Sequence, residues 1–316
     1  MRMAPDSRAG LPAAKGGGWP HRFALLTCVF TVVLILAGGL VTSTGSGLAV
    51  PDWPTTFGYN MFLFPWSKMV GGVFIEHSHR LLGSLVGILT ILTAAAVWKT
   101  DERRWMRRLG AFAVGLVILQ GVLGGMRVVL IKLNLAIVHA CVAQIFFALM
   151  VSLTLFTSRG WQEDAGGMDD RRLARLSLIT VLLLYVQIIF GAVLRHTGAR
   201  LDAHLLFAAL SSIHVILLSY KILKLPNPGS LAKEANCLWI LLLVQLALGF
   251  ASWIGKYAAM GEAFTPGLII AVTSAHVLVG AMLFAASLVV ALRLNKGGPF
   301  AFKATDAPVA AGGARA

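Results

Sequence analysis

The sequence predicts an all-α integral membrane protein, with eight transmembrane helices arranged as two pseudo-symmetric four-helix bundles. Three observations carry that expectation. Of 316 residues, 58% are hydrophobic and only 13% charged, and mean hydropathy is +0.81, whereas a soluble domain carries about 25% charged residues. Apolar runs near the length needed to cross a bilayer recur along the chain. Short phrases of the first half also return, in order, in the second.

The apolar runs lie at about 23–42, 72–98, 108–130, 134–157, 174–194, 203–223, 236–255 and 267–292. Threading them through a membrane gathers 20 of the 27 Lys and Arg on one side. These fall in the N-terminal tail, around 99–108, 159–175 and 221–233, and after 292. The positive-inside rule makes that side cytoplasmic, with both termini on it. The net charge of +14 then reads as topology, and no nucleic-acid partner is expected. Five regions follow: a cytoplasmic tail 1–22, an N-terminal half 23–158, a cytoplasmic linker 159–173, a C-terminal half 174–292 and a cytoplasmic tail 293–316.

The first run has the apolar core of a signal peptide, but "LAGGLVTSTGSG" continues a polar-lined helix rather than offering a cleavage site. Cys28, Cys141 and Cys237 fall within or at the edge of helices. None lies in an outer loop, so no structural disulfide is expected. The Thr265-Pro266 step is the one hint of a helix break, and it lies near an end.

The repeat is read residue by residue. "AGGLVTSTGSGL" (37–48) sets beside "FGAVLRHTGARL" (190–201), pairing Gly38 with Gly191, Thr44 with Thr197 and Gly45 with Gly198, each 153 residues apart. "LQGVLGG" (119–125) sets beside "VQLALGF" (244–250), pairing Gln120 with Gln245 and Gly124 with Gly249, 125 apart. Gln187 and Gly191 keep the same Gln-x-x-x-Gly spacing. Small residues so placed let helices approach closely in lipid.

Histidines are the sharpest signal. His79 stands 20 residues before Lys99, and His139 stands 20 before Arg159. His204 stands 17 before Lys221, and His276 stands 17 before Arg293. At ~1.5 Å per residue, each half therefore holds two histidines at one depth, on separate helices, toward the outer side. Facing histidines in a helical bundle are a usual way to hold a haem iron from both sides. Zinc needs three or four close ligands, and none is placed to complete such a set. His214, only 7 residues before Lys221, lies too near the cytoplasmic face unless the helix ends shift by two turns. His21 is expected to be solvated. His77 points away from His79, and His196 belongs to the outer end of its helix.

The stretch "FIEHSHRLLG" (74–83) puts Glu76, His77, His79 and Arg80 into an otherwise apolar run. Glu76 is one turn before His79, where a carboxylate could orient a ligand, carry protons or act on a substrate. Arg80, four residues after Glu76, suits an intrahelical ion pair. Arg80 and Arg195 could also meet acidic groups such as haem propionates.

These residues resemble the haem A synthase family. The resemblance covers 23–292 and rests on "GGLVTSTGSGLAVPDWPTTFG" (38–58), Glu-x-x-His-Arg at Glu76, His79 and Arg80, and "LGGMRV" (123–128). "NLAIVHA" (134–140), "RHTGA" (195–199) and "TSAHVLVGA" (273–281) complete it. It implies a bacterial plasma-membrane oxidoreductase that oxidises the C8 methyl of haem O to a formyl group through a hydroxylated intermediate, supplying haem A to cytochrome oxidases. It further implies that His204 and His276 hold a b-type haem, and that His79 and His139 line the substrate haem site, with Glu76 essential. Haem O is then the substrate and haem A the product. A complex with the enzyme that makes haem O, and a homo-oligomer, are compatible partners; the electron donor is left open.

Two departures stand out. The first outer loop lacks the cysteine pair of some relatives, and Leu201 occupies the position three before His204 where a second glutamate would fall. Reaction chemistry therefore belongs to the half with Glu76. A di-haem electron-transfer cytochrome and a two-repeat proton-relaying transporter are the competing readings, the latter expecting broken helices near mid-membrane.

Overall fold

The computed structural model describes residues 18–163, 170–258 and 264–296. The expected tails lie largely outside the described residues, as does the middle of the expected linker. The long helices are α1 (Trp19–Ser43), α2 (Gly71–Thr100), α3 (Arg104–Leu130), α4 (Leu133–Thr157), α6 (Arg171–Thr197), α7 (Leu201–Leu223), α8 (Leu231–Tyr257) and α9 (Pro266–Leu294). A short α5 (Arg159–Glu163) follows α4. All eight long helices are apolar and long enough to cross a membrane, and the protein is an integral membrane protein.

Helix ends run a few residues past the apolar runs because local chemistry sets them. Pro20, in the first turn of α1, is preorganised for a helix start. The Asp170 side chain caps α6, accepting from the N–H groups of Arg172 and Leu173. Thr265 caps α9 and Pro266 opens it, so this step is a helix start and not a break. The early start of α1 also corrects one expectation. His21 sits in its first turn and hydrogen-bonds the Thr154 carbonyl at 3.1 Å and the Thr157 hydroxyl at 3.3 Å, tying α1 to α4 rather than facing solvent.

Helix α1 packs on α2 and α4, and α3 packs on α2 and α4; α6 packs on α7 and α9, and α8 packs on α7 and α9. One buried apolar group joins α1, α2, α3 and α4, including Val86, Met106, Met150 and Leu153. Another joins α6, α7, α8 and α9, including Leu218, Ile222, Leu238 and Val290, with Ala148 of α4 at its edge. Ile35, Phe147, Ala281 and Ala285 link α1, α4 and α9 between them.

The connections that follow α1 and α6 differ sharply. Helices α6 and α7 are joined by residues 198–200 alone, with Gly198 at φ 74° and Arg200 at φ 68°. Helices α1 and α2 are joined by residues 44–70, which carry two short 3₁₀ turns at Met61–Leu63 and Trp66–Lys68.

Candidate functional site

The polar cluster at the start of α2 splits into two functions. Glu76, His77 and Arg80 face the 44–70 loop. Glu76 and His77 are 3% and 1% exposed, so their polar atoms need protein partners. Glu76 Oε2 accepts from the Val50 N–H at 2.9 Å, and Oε1 accepts from Arg80 Nη2 at 2.9 Å, the ion pair expected from the i,i+4 spacing. Arg80 also donates to the carbonyls of Val50 (2.9 Å), Asp52 (2.7 Å) and Thr55 (3.2 Å). His77 Nδ1 hydrogen-bonds the Thr56 hydroxyl at 3.1 Å, and its ring packs on Phe64 with centroids 5.1 Å apart.

Helix α3 holds the same loop from the other side. Arg127 Nη1 donates to the Gly47 carbonyl at 2.8 Å. Trp53 lies so close over Gly125 that any Cβ there would overlap its ring. Within the loop, Asp52 accepts from the Thr55 hydroxyl (2.5 Å) and the N–H groups of Phe57 (2.7 Å) and Gly58 (2.9 Å). Burial acts to raise the Asp52 carboxyl, but these donors, the Gly58 N–H foremost, hold it below the ordinary carboxylate value. Phe57 and Gly58 both take positive φ (50° and 77°), and Thr56 and Tyr59 exchange N–H···O bonds across them at 3.1 and 3.0 Å. A two-residue turn with both φ positive suits the right-handed twist of such a pair.

His79 turns away from the loop, into the helices. A Cβ added to Gly38 of α1 would lie 3.2 Å from His79 Cε1. The arrangement recurs three times. The matching distance is 3.2 Å for Gly124 and His139, 3.1 Å for Gly191 and His204, and 3.0 Å for Gly249 and His276. Each of the four depth-matched histidines thus lays its Cε1 edge on a glycine of the preceding long helix. No other residue type leaves that room.

His204 and His276 face each other with ring centroids 6.3 Å apart. Two collinear metal–nitrogen bonds of about 2 Å, plus the ring radii, place centroids roughly 6 Å apart. The spacing of the pair is that of two imidazoles sharing one metal. Nδ1 of His79, His139 and His276 is buried with no hydrogen-bond partner, which suits rings that await a bound group. Among the described residues, no three His, Cys, Asp or Glu side chains converge. His214 bonds the Leu210 carbonyl of its own helix at 2.8 Å, while His204 takes the place opposite His276. His196 lies in the last turn of α6.

Arg195 occupies a junction that its sequence position did not announce. It donates to the Gly39 carbonyl (2.7 Å), the Ser43 hydroxyl (2.7 Å) and the Thr273 carbonyl (3.3 Å). Ser43 in turn meets the hydroxyls of Thr273 and Ser274, each at 3.0 Å. Helices α1, α6 and α9 are fastened here. Arg80 and Arg195 thus direct these donors at protein carbonyls and hydroxyls.

Residues 21–205 match the family model COX15-CtaA, described as cytochrome oxidase assembly protein. That stretch carries Glu76, His79, His139 and His204. The chain is 31% identical over 185 residues to a protein named "Heme A synthase" from Shouchella clausii, covering 57% of this chain and 60% of the relative. It is 30% identical over 184 residues to one of the same name from Alkalihalophilus pseudofirmus, with 57% and 60% covered. A third, from Geobacillus kaustophilus, is 27% identical over 187 residues, with 57% of each chain covered. The matched region spans about 60% of the length of these curated relatives. The family match takes in more than half of this chain and every element that grips the 44–70 loop, and the chain belongs to the cytochrome oxidase assembly protein family.

Proposed function

We propose that the protein is a haem A synthase, oxidising the C8 methyl of haem O to a formyl group by way of the hydroxymethyl compound. The observation that carries this reading is the four-fold seating of paired histidines on glycines in a chain of this family. Written as a half-reaction with water as the formal oxygen source, methyl plus water gives formyl, four protons and four electrons. With water as the source the electrons pass to an external acceptor; with dioxygen as the source, two O2 and four electrons from an external donor give the same formyl group and three waters.

In this reading the chain works as two four-helix halves. His204 and His276 hold a b-type haem, which supplies one-electron redox chemistry when bound. His79 and His139 bind and orient the iron of haem O in the N-terminal half. Glu76, one turn from His79, manages protons at the outer end of that site, and the loop gripped by Glu76, Arg80 and Arg127 excludes water above it. Both termini lie in the cytoplasm and both sites toward the outer side of a bacterial plasma membrane. The enzyme that makes haem O is the natural partner for delivery.

The test is extraction and mass analysis of haems from protein expressed with a haem O supply, wild type beside Glu76→Ala and Glu76→Gln. Formyl or hydroxymethyl haem with the wild type, and none with Glu76→Gln, supports the proposal. Glu76→Gln keeps an acceptor for the Val50 N–H but removes the ion pair with Arg80, so protease protection of the 44–70 loop is measured beside it, and lost conversion with a protected loop reports on chemistry. If every protein carries haem B only and never converts haem O, an electron-transfer cytochrome replaces the synthase.

A further inference from the structure

The four histidines share one kind of seat but differ in their next neighbour. One turn before the seating glycine stands Leu34, Gln120, Gln187 or Gln245. The main chain of each of these residues lies alike beside its histidine, but Gln187 Nε2 also lies 3.1 Å from His204 Nδ1 and 3.4 Å from its Nε2, and Gln245 Nε2 lies 3.3 Å from His276 Nε2. Gln120 instead donates to the backbone carbonyl of His139 at 3.3 Å, and Leu34 has no polar side-chain atom to offer. The Gln245 amide is also shaped for from α9: a Cβ on Gly280, one turn beyond His276, would come 3.0 Å from Gln245 Nε2.

The unpartnered atoms point the same way. Oε1 of Gln187 and Oε1 of Gln245 are buried without a hydrogen-bond partner, each an uncompensated desolvation if left so. A carboxamide carries its oxygen and nitrogen on two nearly equivalent arms. A half-turn of that group brings Oε1 to the imidazole edge, where it accepts a ring N–H. The orphaned oxygen is then satisfied, and the ring's other nitrogen stays bare for a metal. A ligand histidine that donates its second N–H to a fixed carbonyl is locked in tautomer and orientation and becomes more basic.

We propose that the side chains of Gln187 and Gln245 are positioning groups that lock His204 and His276 onto a tightly held iron, whereas Leu34 and Gln120 give His79 and His139 no such side-chain lock, so that the N-terminal pair releases what it binds more readily. This rests on the functional reading above and deepens it. A resident group and an exchanging one need the same ligands and opposite residence times. The difference lies one turn away from the ligands.

The experiment uses the full chain in detergent micelles. Haem transfer to excess apomyoglobin gives release rates, and a redox titration gives the midpoint potential of the resident haem. Gln187→Leu and Gln245→Leu are expected to speed release of that haem by about 10–100-fold and to raise its potential. Gln187→Glu, which keeps an acceptor, retains slow release. Leu34→Gln slows release from the N-terminal half. Leucine variants that keep their helical circular dichroism, release haem at the wild-type rate and hold an unchanged potential overturn the proposal. A wild-type protein that binds no haem overturns the functional reading itself, an outcome that no variant is needed to recognise.

Discussion

The Cε1 edge of His79 rests on Gly38, so closely that a single added methyl would sit 3.2 Å from the ring carbon. Contacts of that length force a neighbour to give way, and a ring wedged between helices has little room to do so. Histidine position is thus set by an absent side chain on another helix.

Alanine at Gly191 or Gly249 is therefore expected to strip the C-terminal site, lowering haem content several-fold in purified protein. Alanine at Gly38 or Gly124 is expected to leave that haem in place while reducing haem O conversion. Gly87, Gly115 and Gly121 have nothing within 4 Å of an added Cβ, and alanine there should leave absorbance spectra unchanged. Equal haem loss from all seven variants would show that the seats have no special role.

Arg80 holds the loop through three carbonyls and one carboxylate. Arg80→Gln leaves Glu76 buried without its cation, and removing one partner of such a pair costs about 3–5 kcal/mol. Chymotrypsin cleavage within 57–66 should rise at least ten-fold on the full chain. Arg80→Lys should not rescue it, because an ammonium cannot reproduce the fork that spans Val50, Asp52 and Thr55. Wild-type protection in Arg80→Lys would refute that account of the grip.

Trp53 and Gly125 should behave as a coupled pair. Gly125→Ala displaces the indole, with an overpacking cost of about 1–3 kcal/mol. In a Trp53→Ala background the same change should cost almost nothing, which thermal unfolding of the four proteins of the cycle measures directly. Additive effects would place the two residues out of contact.

Asp52 gives the loop a defined acid limit. Its carboxyl is held below the usual value of 3.8, so the folded loop binds fewer protons than the unfolded chain. The stabilisation is complete above that usual value and disappears as pH falls through the lowered one. Protease protection of residues 50–60 should decline over that window in the wild type. In Asp52→Asn it should be weaker throughout and flat with pH.

Much of this architecture is written in the chain in readable form. The eight spans follow from apolar runs bounded by charge, and the paired depths of His79 with His139 and of His204 with His276 follow from a fixed rise per residue. The repeated glycines were also visible, yet only as close-packing residues. Which side chain a glycine receives depends on how one helix is rotated against the next, and a helix sequence carries no record of that. The destinations of Arg80, Arg127 and Arg195 were hidden for the same reason, since each reaches a carbonyl far away in sequence. Residues 44–70 have no periodicity to read, so the packing of Trp53 on Gly125 left no trace before folding. His21 lies inside α1 because Pro20 starts the helix four residues before the apolar run does.

The charged side chains of α2 and α3 grip the loop by its main chain. Arg80 and Arg127 take hold of the carbonyls of residues 47, 50, 52 and 55, and Glu76 takes the N–H of residue 50. Carbonyls belong to every amino acid, so most loop side chains can drift during evolution without loosening the attachment. The exceptions are specific: proline at 50 would delete the donor to Glu76, a side chain at 47 would collide with the Arg127 guanidinium, and Trp53, Thr56 and Phe64 hold Gly125 and His77 through their side chains. Such an anchorage lets descendants of one ancestor redesign the exposed face of the cap while inheriting its fastening unchanged.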